Sequence, residues 1–197
     1  MENEVKEPAP KYSFVSPEEY LATERAAQQK HEYFKGEVFA MAGASWEHNL
    51  IVKNINTQVL PFLKGKDCNL FGSDLRIHIP DNSLYTYPDF SIICGPPLTS
   101  DDEKDNFISP SVLIEVLSKS TRDYDRGSKF MLYRQIPSLR EYITIDSLSV
   151  NVEVWKRNPD DSWVLHDFRL ITDSFTISTI GFTLQLSDIY EDVTFAE

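Results

Sequence analysis

The chain has 197 residues, 41% of them hydrophobic and 12% aromatic, which predicts a globular protein with a substantial core and excludes an intrinsically disordered one. Its 31 acidic residues outnumber the 19 basic ones, and the formal charge of −12 argues against non-specific binding of nucleic acid through a basic surface. Apolar runs fall well short of the about 20 residues that a membrane span needs, so we expect no membrane association.

The N-terminal part of the chain predicts a short lead-in followed by a helix and a hairpin. Segment 1–11 is acidic and proline-containing, so we expect it to be flexible and, without a signal-peptide pattern, expect a cytoplasmic protein. The sequence SPEE at 16–19 combines an N-cap serine with a proline and a capping-box glutamate, which predicts a helix extending to about residue 30. The next run, 31–41, predicts two short strands that turn at Lys35-Gly36.

The middle of the chain predicts one amphipathic helix followed by strands. Ser45 is expected to cap a helix whose apolar residues recur at helical spacing until about Gly65. The run 70–80 alternates apolar and polar side chains, which predicts a half-buried strand. PDFSIIC and SVLIEVLS then predict two more strands, separated by a polar loop at about 95–109.

The last third of the chain predicts a crossover helix and a β-rich end. The helix is expected to begin at Asp125 and to close at Pro137, with Met131 among its apolar positions. Four strands follow, at 141–146, 150–157, 162–170 and 175–186. The element order predicts an α+β fold in which residues 1–197 form a single domain.

The two cysteines have no metal-binding spacing and suggest no disulfide framework. Cys68 and Cys94 each lie in or beside a predicted strand. Because an unpaired cysteine packs as a small hydrophobic side chain, we expect both to be core thiols.

Two predicted strands each carry one carboxylate, Asp89 in PDFSIICGPP and Glu115 in PSVLIEVLSK. Alternation places Leu113, Glu115 and Leu117 on one face of the second strand, and both faces are otherwise apolar. We therefore expect a central strand that is covered on both sides. Burying an ionised carboxylate is costly unless a partner neutralises it.

Two explanations for these buried acids remain open. Asp89 and Glu115 could converge on a divalent metal, and carboxylate ligands without a His/Cys cluster suit Mg²⁺ or Mn²⁺. Such an ion could activate a water for attack on a phosphodiester. Alternatively, Glu115 pairs with an arginine in a buried salt bridge and Asp89 caps a turn.

Several segments resemble one known family. PDF at 88–90, LIEVLSKSTRDYDRGSKFMLYRQ at 113–135 and EYITID at 141–146 resemble the signature of the putative restriction endonuclease family common in cyanobacteria, within the PD-(D/E)XK nuclease superfamily. The resemblance extends to YFKGEVFAM, GASWEHN and GSDLRIHI. It implies a restriction-endonuclease-like core, with a mixed central β-sheet flanked by helices. It also implies Mg²⁺-dependent hydrolysis of DNA, with Asp89 and Glu115 as catalytic metal ligands, and a homodimer.

The chain departs from the superfamily pattern at one position. The pattern expects a lysine two residues after the glutamate, and here that residue is Leu117, which cannot stabilise charge on a phosphate. Lys119 is an alternative source of the lysine, but it lies about 13 Å further along an extended strand from Glu115. Lys129 matches the helical position to which the family's lysine has migrated, so we expect Lys129 to be catalytic.

Other polar residues are secondary candidates. The resemblance suggests Asp74 or Glu37 as a further metal ligand, although either could be a surface residue. His48, Arg122 and Arg126 are candidate nucleic-acid contacts. His48 could equally have a structural role, and Asp123 and Asp125 could pair with the two arginines.

Two functions compete. The first is a Mg²⁺-dependent DNA endonuclease in which Asp89 and Glu115 hold the metal and Lys129 orients or activates water. The second is a catalytically inactive nuclease-fold protein that binds nucleic acid or protein. Leu117 at the lysine position and the formal charge of −12 are the observations that suggest it. The intact trio of Asp89, Glu115 and Lys129 favours the first.

Overall fold

A six-stranded mixed sheet forms the centre of the structure, a computed structural model that describes residues 14–195. The expected flexible segment 1–11 lies outside the described residues. The strand order is β10-β9-β8-β7-β6-β3, and the β7–β8 pair is parallel whereas the other neighbours are antiparallel. The strands are β3 (Cys68–Gly72), β6 (Phe90–Cys94), β7 (Val112–Leu117), β8 (Glu141–Asp146), β9 (Val152–Arg157) and β10 (Trp163–Phe168).

Two smaller sheets accompany it. A four-stranded sheet has the order β2-β1-β5-β4, and a hairpin pairs β11 with β12. The strands are β1 (His31–Phe34), β2 (Glu37–Ala40), β4 (Ile77–Ile79), β5 (Leu84–Thr86), β11 (Ser174–Ile177) and β12 (Phe182–Gln185). The mixed sheet, the helices and the β-rich C-terminal part confirm the predicted α+β class.

The helices are few and mostly short. They are α1 (Pro17–Glu24), α2 (Trp46–Leu63), a 3-10 turn (Pro80–Asn82), α3 (Arg122–Tyr124), a π-helical turn (Asp125–Lys129), α4 (Phe130–Tyr133) and α5 (Leu186–Ile189). We call the continuous run of α3, the π turn and α4 the crossover segment. None of the helices in residues 14–195 is long and apolar enough to cross a membrane.

Strand β7 is buried on both faces, as its sequence predicts. One face carries Ile114 and Val116 into a core against α2. The other face carries Leu113 into a second core with Phe130 and Tyr133 of the crossover segment. Glu115 shares this second face, so the fold turns its carboxylate toward the crossover segment and the four-stranded sheet.

Several predicted elements differ in the structure. The single strand expected at 175–186 is the hairpin of β11 and β12, and the crossover helix begins at Arg122 rather than at Asp125. Helix α1 ends at Glu24 rather than near residue 30, because the Glu24 side chain accepts the backbone N–H of His31 at 2.8 Å and the chain turns into β1. The run 70–80 is divided between β3 and β4 by a turn at Ser73-Asp74. Met131 is exposed on the crossover segment instead of contributing to the core.

The prediction of core thiols is wrong. Cys68 of β3 lies directly opposite Cys94 of β6 in the antiparallel ladder, with their Cα atoms 4.0 Å apart, and the two form a disulfide. Directly opposed cysteines are close enough to be bridged. Their spacing along the chain could not reveal this pairing, because it depends on β3 and β6 being neighbours in the sheet.

Leu113 offers a test of the second core. It is fully buried, so replacing it in Leu113→Ala should lower the free energy of unfolding by about 2–5 kcal/mol. The matched control Leu170→Ala truncates an exposed leucine and should change it by less than about 0.5 kcal/mol. Urea denaturation measures both, and equal costs for the two variants would contradict the assignment of Leu113 to the core.

Candidate active site

The two strand-embedded acids meet at one end of the central sheet. Strands β6 and β7 are antiparallel with Phe90 opposite Ile114, so the start of β6 lies beside the end of β7. Asp89 precedes Phe90 and Glu115 follows Ile114, so Asp89 and Glu115 are neighbours across the two strands. The backbone N–H of Asp89 donates to Glu115 Oε2 at 3.4 Å. The structure brings these two predicted site residues together.

Asp89 is held from two sides. The backbone N–H of Val116 donates to Asp89 Oδ2 at 2.7 Å, and His48 Nε2 lies 3.2 Å from Asp89 Oδ1. His48 belongs to the first turn of α2, where Ser45 caps the helix by accepting the His48 backbone N–H. Burial opposes the charged form of His48, but Asp89 outweighs it and raises the His48 pKa. His48 thus orients Asp89.

Glu115 is almost completely buried and has two strong partners on one oxygen. Lys129 Nζ lies 2.9 Å from Glu115 Oε1, and the Tyr133 hydroxyl donates to the same atom at 2.7 Å. The partner is a lysine from the crossover segment, not the arginine of the alternative explanation. Tyr133 also fixes the Glu115 side chain.

Topology brings Lys129 to this position. Because β7 and β8 are parallel, the chain between them must cross one face of the sheet. The crossover segment does so, and residues four apart in its π turn share one side. Asp125 and Lys129 consequently both point into the site, with Asp125 Oδ1 at 3.5 Å from Lys129 Nζ. Single π turns are frequent at functional sites.

A further acid comes from the four-stranded sheet. Glu32 of β1 places Oε1 3.1 Å from Lys129 Nζ, and the Thr86 hydroxyl donates to the same carboxylate oxygen. Lys129 therefore contacts three carboxylates, those of Glu32, Glu115 and Asp125. Together with Asp89, these residues form what we call the carboxylate cluster.

The carboxylate cluster carries more negative charge than its ammonium group neutralises. Burial raises the pKa of Glu115 and of Asp125, since a low-polarity environment disfavours both carboxylates. Burial also opposes the charge on Lys129, but the facing acids, Glu115 first, hold its pKa well above the usual value. The site is therefore built to attract additional positive charge.

The donor chemistry fits a hard divalent cation. Every acid in the carboxylate cluster offers oxygen ligands, which Mg²⁺ and Mn²⁺ prefer, and the excess negative charge would be offset by such an ion. Among residues 14–195, no group of three or more His, Cys, Asp or Glu side chains is placed so that it could hold a metal ion. Asp89 and Glu115 thus form at most part of a coordination sphere here, which waters and substrate would complete.

Four other predicted residues lie outside the carboxylate cluster. Asp74, in the turn before β4, is 99% exposed and pairs with Lys30 at 3.0 Å. Glu37 is exposed on β2. Arg122 pairs with Asp146 at 2.8 Å, and Arg126 lies 3.3 Å from Glu153. Neither arginine pairs with Asp123 or Asp125 among the described ion pairs.

Sequence reasoning missed Glu32 and underrated Asp125. Glu32 lies in the same hairpin as Glu37, the acid predicted from the sequence, but strand alternation gives no means of telling which acid faces inward. The four-residue spacing of Asp125 and Lys129 was a usable signal, because it places both side chains on one face of a helix. The sequence also allows Asp125 to pair with an arginine, and this interpretation drew attention away from its spacing to Lys129.

A restriction-endonuclease-like core is the class that this mixed sheet and its paired acids define. The crystal structure of a putative nuclease belonging to DUF820, from Anabaena variabilis ATCC 29413, superposes with a TM-score of 0.71 over 85% of this chain and 93% of that one. The two share 15% sequence identity, so the likeness concerns the fold. A family model described as Uma2, "Putative restriction endonuclease", matches residues 17–187, and the chain belongs to this family.

Two relatives come from Synechocystis sp. (strain ATCC 27184 / PCC 6803 / Kazusa). "Uncharacterized protein slr1290" is 37% identical over 189 residues, which cover 95% of this chain and 97% of the relative. "Uncharacterized protein sll1609" is 37% identical over 148 residues, covering 75% and 83%. The first match extends over almost the full length of both chains.

The buried ion pair can be tested by its energetics. Lys129→Met leaves buried carboxylates without their cation and should lower the free energy of unfolding by about 3–5 kcal/mol. The double variant, which adds Glu115→Gln, also removes one of those charges. Its loss of unfolding free energy should therefore be smaller than the sum of the losses of the two single variants. Urea denaturation in EDTA provides the double-mutant cycle.

A matched control comes from an ion pair with similar geometry but high exposure. Lys30 lies 3.0 Å from Asp74, and Lys30→Met should cost only about 0–1 kcal/mol. If Lys129→Met cost no more than Lys30→Met, the carboxylate cluster would not depend on Lys129.

Proposed function

We propose that the protein is an endonuclease that hydrolyses phosphodiester bonds in DNA with Mg²⁺ or Mn²⁺. The observation that carries this proposal is the 2.9 Å contact between Lys129 Nζ and Glu115 Oε1, beside Asp89. The superfamily pattern expects a lysine two residues after the glutamate, where this chain has Leu117. The contact brings the Lys129 ammonium group to Glu115 instead. Membership of a family described as restriction endonucleases supports the same activity.

Asp89 and Glu115 would hold the ion, and waters and substrate would supply its remaining oxygen ligands. When bound, the ion would supply Lewis acidity toward a phosphate oxygen and lower the pKa of an attacking water. His48 and the Val116 N–H keep the Asp89 carboxylate oriented, and Tyr133 does the same for Glu115. Prearranged ligands avoid an ordering cost when substrate binds.

Lys129 would stabilise negative charge on the phosphate. Three facing carboxylates favour its ammonium form, so it is suited to donate hydrogen bonds rather than to remove a proton. A positioned donor of this kind is worth most in a site from which water is excluded. The burial of Lys129 meets that condition.

The rival function, a catalytically inactive nuclease fold that binds nucleic acid or protein, finds less support. Retaining buried charges without a use for them is costly. The homodimer, the cytoplasmic location and a single domain over residues 1–197 stay predictions that accompany the proposal.

A nicking assay on circular DNA tests the activity, since circles have no ends and report only internal cleavage. Purified wild type should open supercoiled plasmid or single-stranded circles in Mg²⁺ or Mn²⁺ and not in EDTA. Asp89→Asn and Lys129→Met should each lower the rate by on the order of 100-fold or more, because each removes a group that acts on the reacting phosphate.

Two matched variants sharpen that assay. Lys119→Met removes the competing lysine, and Asp123→Asn neutralises an exposed acid of α3 that contacts none of the carboxylate cluster among the described interactions. Both should retain near-normal rates. Metal-independent nicking, or equal rates for wild type and Asp89→Asn, would refute the proposal and leave the inactive fold as the better account.

A further inference from the structure

We propose that the substrate is DNA with unpaired bases, above all single strands, held by stacking its bases on exposed aromatic side chains around the carboxylate cluster. This inference rests on the proposed function and names its substrate class. The side chains are Phe39 and Tyr124, which we call the aromatic rim.

Phe39 stands directly beside the site. In the antiparallel pair of β1 and β2, Phe39 is opposite Glu32, and directly opposed residues project to the same face of a sheet. Glu32 reaches Lys129 from that face, so the Phe39 ring lies next to the carboxylate cluster. The ring is 48% exposed, on a strand that forms the outer edge of the four-stranded sheet.

Tyr124 borders the site from the crossover segment. Its ring centre lies 6.0 Å from Lys129 Nζ, and 39% of the residue remains exposed. Phe39 and Tyr124 therefore approach the Glu32–Lys129 pair from two different elements.

The charges argue for single strands rather than duplex. Duplex binding depends on basic side chains that neutralise phosphates. Here Arg122 and Arg126 of the crossover segment are already engaged by Asp146 and Glu153, and the chain carries a formal charge of −12. A single strand has a lower linear charge density than a duplex and therefore meets less repulsion from an acidic chain, and its unpaired bases can stack on aromatic rings.

Exposure of two large aromatic residues beside an ionic site is otherwise unfavourable. Apolar groups at a surface normally gain free energy by burial, so a group of them beside polar chemistry indicates a ligand with flat apolar faces. An unpaired nucleotide combines such a face with a phosphate, and a single strand would present both to the aromatic rim and Lys129 together.

Fluorescence anisotropy with a labelled 20-nucleotide oligo-dT and with a 20-base-pair duplex tests the inference. Ca²⁺ serves as the divalent ion, because it binds carboxylate oxygens and permits a binding measurement separate from cleavage in Mg²⁺. Wild type should bind the single strand at least about 10-fold more tightly. Phe39→Leu and Tyr124→Leu, which keep an apolar side chain but remove the ring, should each weaken that binding about 5- to 100-fold.

Conservative and distant variants complete the design. Phe39→Trp should retain binding because it keeps a stacking face, and Leu170→Ala, which truncates an exposed leucine remote in sequence, should leave affinity unchanged. Equal or tighter binding of duplex, or unaltered single-strand binding by both leucine variants, would overturn the inference.

The outcomes also separate this inference from the nuclease proposal. Single-strand binding that depends on the aromatic rim, without any cleavage of circular DNA, would uphold the inference about the ligand and refute the endonuclease. Metal-dependent nicking that shows no preference for single strands and is insensitive to Phe39→Leu would uphold the endonuclease and overturn the inference.

Discussion

The buried contact between Lys129 and Glu115 is the constraint on which the rest of the structure depends. A carboxylate in the middle of a strand covered on both faces would be too costly without a cation within hydrogen-bonding distance. Lys129 provides one at 2.9 Å, and it can do so only because the crossover segment is packed over the same face of β7. The ion pair and the second core thus require each other.

The same contact links separate parts of the chain. Lys129 joins Glu115 of the central sheet to Glu32 of the four-stranded sheet, while His48 connects Asp89 to helix α2. Because the acids outnumber their partners, this arrangement is more costly than a neutral core would be. Such an excess has a physical use if the site binds a divalent cation, which is the basis of the proposed nuclease.

How much the sequence predicts follows from the range of each interaction. The β7 strand and its two apolar faces were predictable, because alternation is local, whereas Lys129 was singled out by the resemblance to a family. The Cys68–Cys94 disulfide and the inward position of Glu32 were not, because each depends on which strands become neighbours. Arg126 shows the same limit, since its partner Glu153 lies on a strand that the local pattern does not place beside it.

A crystal grown or soaked with Mn²⁺ and measured by anomalous diffraction would test the central claim, that the buried acids form a cation site, most directly. We predict an anomalous peak within about 2.0–2.3 Å of oxygens from both Asp89 and Glu115, with the Lys129 ammonium beside it. The claim would be contradicted if a soaked crystal showed no anomalous peak at these residues and Lys129 alone remained paired with the Glu115 carboxylate.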